Sequence, residues 1–134
     1  MSELPPEVRD LLAAPNIVHV ATLMADGTPQ SVAIWADVDG PRVFFFTQET
    51  SAKARNLRRD PRVAMSVVDR ANPYATAWLR GRVVETVEGD AALALIDRLS
   101  VKYTGEPFPM RSGIVFVVEP ERAASMILPF RETP

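Results

Sequence analysis

The chain has 134 residues, 47% hydrophobic and 24% charged, with a formal net charge of −2. That length suits a single domain, 1–134, burying roughly two thirds of its unfolded surface. The charge balance gives no global attraction to nucleic acid or acidic membranes, and with no cysteine there is no disulfide, thiol nucleophile or Cys-based metal site.

Glu7 to Ala14 reads as a short helix with Val8, Leu11 and Leu12 at helical spacing. Ile17 to Met24 reads as a strand, and Asp26-Gly27 after it is a strong hairpin signal. The return strand is expected over Gln30 to Val38, with Ser31, Ala33, Trp35 and Asp37 on one face and Val32, Ile34, Ala36 and Val38 on the other. Asp39-Gly40-Pro41 turns the chain into the apolar strand Arg42 to Thr47. A helix capped by Thr50 or Ser51 follows and must finish near Asp60, because Pro61 disfavours a helical residue before it. Arg62 to Asp69 is another strand. Tyr74 to Glu88 is a long one, bent at Gly81. Asp90, as cap, opens an amphipathic helix to Tyr103 with Ala92, Leu95, Ile96, Leu99 and Tyr103 on one face. Thr104 to Ser112 is a loop, expected to determine the choice of any acceptor substrate. Ile114 to Glu119 and Ala123 to Leu128 are read as a last pair of strands about Pro120-Glu121-Arg122. About seven antiparallel strands with two or three short helices make a mainly β (α+β) barrel. No apolar run reaches the ~20 residues that span a bilayer. The N-terminus lacks the pattern of a signal peptide, so a cytoplasmic location is expected.

The most informative stretch runs from Thr47 to Val63. Lys53 falls in the first turn of its helix, with Arg55 just behind. A cation is badly placed at that partly positive end, by roughly 0.3–1 kcal/mol. A bound anion reverses the sign, because free N–H groups, the hydroxyls of Thr47, Thr50 and Ser51, and the Lys53 ammonium would converge on it. This is the pattern of a phosphate seat; a solvated basic helix is the alternative. Trp35 and Trp78 lie on strands, where aromatics commonly serve core or interface. Trp35 is the better candidate ligand contact, with Gln30 and Ser31 able to orient a flat heterocycle. Arg80 and Arg82 flank Gly81 and are read as a solvated face or as ion-pair partners of Glu85 or Glu88. The sole histidine, His19, has no companion ligands, so no metal site is expected. No nucleophile elbow, dinucleotide fingerprint or proton shuttle is evident, and no catalytic residue is assigned. A chain without reactive groups can still be an enzyme if a cofactor carries the chemistry.

The ordered set of Asp-Gly hairpin, Pro29-Gln30-Ser31-Val32, Phe45-Phe46-Thr47 and Ser51-Ala52-Lys53-Ala54-Arg55-Asn56-Leu57-Arg58-Arg59-Asp60-Pro61-Arg62-Val63 resembles the flavin/deazaflavin split β-barrel superfamily. Its founding member is pyridoxamine 5′-phosphate oxidase. The resemblance covers about Ile17 to Leu128 and is most specific over Ala52 to Arg62, which is similar to the actinobacterial group using the deazaflavin coenzyme F420. It implies a homodimer with two cofactor sites at the subunit interface. Lys53 and Ser51 would hold the cofactor phosphate, with Thr47 and Asn56 in support. Gln30, Ser31 and Val32 would meet the cofactor ring or its side chain. Tyr74 and Trp78 would approach from the long strand, and Arg55 and Arg58 would meet the acidic oligoglutamate tail. The expected activity is hydride transfer from reduced F420 to an electron-poor conjugated small-molecule acceptor (an enone, quinone or tetrapyrrole), with Trp35 and Trp78 as substrate contacts. The alternatives are FMN as cofactor and a non-catalytic flavin, deazaflavin or tetrapyrrole binding protein.

Two departures bear on the substrate. Pyridoxamine phosphate oxidases carry an arginine and a lysine on the second strand, absent from Gln30 to Trp35, and a C-terminal tryptophan-bearing segment absent here. Vitamin B6 oxidation is therefore not expected. The extra segments of the haem-degrading branch are also missing.

Overall fold

The computed structural model describes residues 3–130. Three helices and seven strands follow the order α1 (Pro6–Ala13), β1 (Val18–Leu23), β2 (Pro29–Ile34), β3 (Ala36–Asp39), β4 (Arg42–Thr47), α2 (Ala52–Arg59), β5 (Arg62–Val68), β6 (Ala75–Val87), α3 (Gly89–Thr104) and β7 (Ile114–Ile127). All pairings are antiparallel, in the order β2-β1-β5-β6-β7-β4-β3. The edge strands β2 and β3 are consecutive in sequence and separated by Trp35 alone. A seven-stranded sheet can bring its two edges within one residue only by curling round, so the connectivity dictates a barrel.

The structure corrects three expectations. Gln30 to Val38 is not one strand: the chain leaves one sheet edge at Ile34 and joins the other at Ala36. The apolar alternation survives the break, which is why it was invisible in the sequence. The last two strands are instead one strand, β7, running through Pro120. Proline is tolerated there because the ladder is already irregular: Arg80 pairs with Arg122 and Gly81 with Pro120, leaving Glu121 as the extra residue of a bulge. Gly81 bends β6 as expected; a Cβ on it would lie 2.1 Å from the Glu119 carbonyl oxygen. Finally, Asp90 is not a cap. Glu88 holds that position without a side-chain hydrogen bond, and Asp90 lies in the first turn, where a carboxylate still complements the helix dipole.

The barrel interior is filled by Val18, Val20, Val43, Phe45, Leu79 and Phe116, and α1 contributes Val8, Leu11 and Leu12 to the same core. A second cluster lies outside the barrel wall, where Ala92, Ile96 and Leu99 of α3 cover Phe44, Val115 and Val117. Strands β4 and β7 are therefore buried on both faces, which explains the unbroken runs Val43-Phe44-Phe45 and Ile114 to Val118. The C-terminal turn of α3 is fastened to the β2–β3 corner. Lys102 Nζ donates to Leu12 O and Ala36 O, both at 2.7 Å, and lies 3.4 Å from the buried Asp37 carboxylate. Among the described residues no helix is long and apolar enough to cross a membrane.

Candidate functional site

Strand β4 ends at Thr47, and after four intervening residues the chain enters α2 at Ala52. Ser51 caps that helix: its Oγ accepts from Ala54 N at 3.1 Å and from Thr47 Oγ1–H at 2.9 Å. With both acceptor positions used, the Ser51 hydroxyl still has its own proton to donate. The N–H groups of Ala52 and Lys53, at the first turn, have no acceptor among the described residues. Lys53 is half-buried and has no ion pair or hydrogen bond among them; desolvation lowers its pKa below the ordinary 10.5. Four donors, one charged, thus converge at the start of an eight-residue helix that carries no acidic residue in its first turn. Donors placed in this way can receive an anion.

The seat opens on a cleft of about 470 Å³, within the range of small-molecule sites. Thr47 and Lys53 line its polar end; Trp35, Phe46, Phe108 and Met110 line its apolar part. The Trp35 ring lies flat on Tyr103 (centroids 5.3 Å apart, 8° between planes), while Phe46 and Phe108 meet edge to face at 5.0 Å. Tyr103 is itself fixed: its hydroxyl donates to Asn16 O at 2.6 Å and accepts from Ala36 N at 3.3 Å. The loop carrying Phe108 and Met110 is held by Asp97, which accepts from Phe108 N and from two nitrogens of Arg111. Gln48 and Ser112 bond to each other across the loop's far end. A phosphate-headed molecule with a flat apolar body matches this combination of seat and walls.

Of the residues singled out in the sequence, the structure gathers Thr47, Ser51, Lys53 and Trp35 about this cleft. Gln30 stands half-buried opposite Thr22, and its Oε1 is buried without a partner among the described residues. Val32 packs against the barrel core. Ser31 faces outward two residues from Ala33, which lines the cleft, and shares a neighbouring concavity with His19 and Trp78. Asn56 is buried and turned toward the barrel, donating to Thr22 Oγ1 at 2.9 Å and accepting from Arg59, so it pins α2 to β1. Arg55 and Arg58 are exposed and donate to the carbonyls of Thr50 and Glu49. Tyr74 stands just before β6, edge-on to Phe130. Among the described residues no group of three or more potential metal ligands occurs. Phe46, Phe108 and Tyr103 carry the walls; of these only Phe108 lies in a segment, the loop Thr104 to Ser112, that the sequence offers as a determinant of acceptor choice. Tyr103 read as one more apolar position of its helix face. For Phe46 the usable signal was that it directly precedes the Thr47 hydroxyl.

The family pattern described as pyridoxamine 5′-phosphate oxidase matches residues 4–126. Among solved structures the chain is similar to an F420 reductase, at 35% identity over 90% of this chain and 98% of that one, with a TM-score of 0.81. It is also similar to a conserved hypothetical protein from Mycobacterium tuberculosis, at 25% identity over 99% of this chain and 94% of that one, TM-score 0.79. HupZ of Group A Streptococcus, 16% identical over 97% of this chain and 99% of that one with a TM-score of 0.69, shares the fold. No curated protein matches the sequence.

Proposed function

Because the chain belongs to the pyridoxamine 5′-phosphate oxidase family, we propose that it is a cytoplasmic oxidoreductase that binds coenzyme F420, and reduces a conjugated small-molecule acceptor. One observation carries the reading: a half-buried lysine without a counter-ion among the described residues heads an aromatic-walled cleft. The 35% identity to an F420 reductase supports deazaflavin over flavin.

When bound, reduced F420 supplies a hydride from its carbon C5 to an enone, quinone or tetrapyrrole. The chain's part is placement. Lys53, Ser51 and the α2 N–H groups would hold the phosphate, with Thr47 fixing the Ser51 side chain through its hydrogen bond. Trp35 offers a flat face, and Phe46 and Phe108 exclude water from the cleft. Gln30, whose Oε1 lacks a partner among the described residues, is proposed to meet the cofactor ring together with Ser31 and Val32. Arg55 and Arg58 on the exposed side of α2 are proposed to meet the acidic tail. Asn56 is proposed to act on the seat indirectly, by fixing the helix. The outer face of β5, β6 and β7 exposes Val68, Trp78 and Met126, the last at 61%. That apolar face is proposed as the homodimer interface, through which Trp78 and Tyr74 would approach the partner's site.

The test is steady-state oxidation of reduced F420, and in parallel of reduced FMN, by a panel of enones, quinones and tetrapyrroles. Many turnovers per subunit with F420 support the reductase. Turnover with FMN alone moves the chain to flavin chemistry. A specific observation favours a non-catalytic reading: among the described residues no carboxyl, histidine or tyrosine lines the cleft to supply a proton. Stoichiometric binding without turnover on any acceptor would establish that carrier instead.

A further inference from the structure

The Lys53 cleft has walls of two kinds. Phe46 belongs to β4, and Trp35 is the single residue between β2 and β3, so the barrel itself places both. Phe108 and Met110 come instead from the connection between α3 and β7. Gly105, at φ 86°, ends α3 and turns the chain into that connection. Residues 106–112 then lie outside any helix or strand, so no backbone ladder fixes them and side-chain bonds must.

Asp97 of α3 supplies those bonds. Its Oδ1 accepts from Phe108 N at 3.1 Å and from Arg111 Nη1 at 2.8 Å, and its Oδ2 accepts from Arg111 Nη2 at 3.1 Å. Arg111 Nη1 also donates to Phe108 O at 2.9 Å. Both main-chain polar groups of Phe108 are thus engaged, one by the carboxylate and the other by the guanidinium that the carboxylate orients. The Phe108 ring meets Trp35 at 6.3 Å and 82°, and Phe46 at 5.0 Å and 72°. Contacts between aromatic rings depend on such angles, so a shift of the loop would remake this wall.

The ion pair is badly placed to serve stability. The Asp97 and Arg111 side chains are 30% and 51% exposed, and pairs so exposed contribute little to folding. What a two-pronged pair adds there is direction. The Arg111 hydrogen bonds also hold the Asp97 carboxyl below its ordinary 3.8, so the pair stays charged at neutral pH.

We propose that Asp97 is a positioning residue for the Lys53 cleft. Acting through Arg111 and the Phe108 main chain, it holds the Phe108 ring against Trp35 and Phe46, and so gives the cleft a preference for a flat aromatic body on its anionic ligand. The inference rests on the cleft being an anion-headed ligand site, and not on which cofactor occupies it.

The experiment is an NMR titration of the ¹⁵N-labelled full-length protein with inorganic phosphate and, separately, with 2-naphthyl phosphate. The reporters are the Lys53 amide and the Trp35 indole N–H, the latter identified by its loss in Trp35→Phe. Asp97→Ala should weaken 2-naphthyl phosphate by roughly three- to tenfold and leave inorganic phosphate unchanged. Asp97→Asn keeps an oxygen for Phe108 N but no charge for Arg111, and should fall between Asp97→Ala and wild type. In a Phe108→Ala background, Asp97→Ala should have no further effect, because the residue acts through that ring. Without any ligand, Asp97→Ala should shift the Trp35 indole signal and leave that of Trp78 in place. If Asp97→Ala folds poorly, Arg111→Gln serves in its stead and should show a loss in the same direction, again for the naphthyl ester alone. An equal loss for both probes would make Asp97 a residue of the fold and overturn the proposal. So would an unchanged preference for the naphthyl ester, or an undiminished effect of Asp97→Ala in the Phe108→Ala background. Saturable binding by wild type with unaltered variants overturns this inference alone, whereas no binding of either probe by wild type overturns the cleft's reading and this inference with it.

Discussion

Replacing Lys53 by glutamine separates binding from stability, because the two effects should have opposite signs. In the unliganded protein the Lys53 ammonium is partly desolvated and has no partner among the described residues. Its removal deletes no favourable contact and relieves a cation at a helix N-terminus. The thermal midpoint should therefore hold or rise. With ligand bound, one charge-assisted hydrogen bond of roughly 1.5–3 kcal/mol is lost, equivalent to an approximately 10- to 150-fold rise in Kd. Binding is weakened rather than abolished, because Ser51 Oγ–H and the N–H groups of Ala52 and Lys53 remain. The assay is a fluorescence titration with F420 and with the same chromophore lacking its phosphate, alongside thermal unfolding. The phosphate-free chromophore should bind both proteins equally. An equal loss for both chromophores, or a large fall in thermal midpoint, would refute the reasoning by making Lys53 a structural residue.

Binding should also depend on pH. A bound phosphate favours the charged Lys53, whose pKa in the free protein lies below 10.5; affinity should therefore fall as pH rises through that lowered value, and Lys53→Gln should flatten the alkaline limb of the profile. Tyr103→Phe leaves the stack on Trp35 possible but strands Ala36 N–H and Asn16 C=O, and denaturant unfolding should register a loss of roughly 1–3 kcal/mol. Gly81→Ala places a Cβ 2.1 Å from the Glu119 carbonyl oxygen, so the variant should lose several degrees of thermal stability; wild-type stability would contradict the close packing at the bulge. Asp60, hydrogen-bonded by Arg62, has its pKa lowered to about 2, so whatever stability the pair contributes is present above 3.8 and is lost as pH falls through about 2. Carboxyl NMR should find that midpoint, and Arg62→Gln should return it toward 3.8.

How much of this was legible in the sequence depends on whether the signal was local. A cap at Thr50 or Ser51, the end of α2 near Asp60, the Asp-Gly hairpin and the bend at Gly81 are each written in a few adjacent residues; the structure agrees with all four and selects Ser51 as the cap. The break at Trp35 was not legible, because inward and outward positions keep alternating while the strand changes partners. The continuity of β7 was hidden for a related reason. Pro120 looks like a terminator until its partner Gly81 is known, and that pairing spans 39 positions of sequence. The seat followed the same division. Thr47, Ser51 and Lys53 lie within seven consecutive residues and could be read together. Phe108 and Tyr103 reach the cleft through tertiary packing of α3 and its loop, and no spacing rule encodes that.

The central claim is that the Lys53 cleft is a deazaflavin site. Paired fluorescence titrations of the purified protein with F420 and with FMN test it most directly. The account predicts saturable F420 binding, micromolar or tighter, with FMN markedly weaker. The reverse order, or no binding of either cofactor, would contradict it.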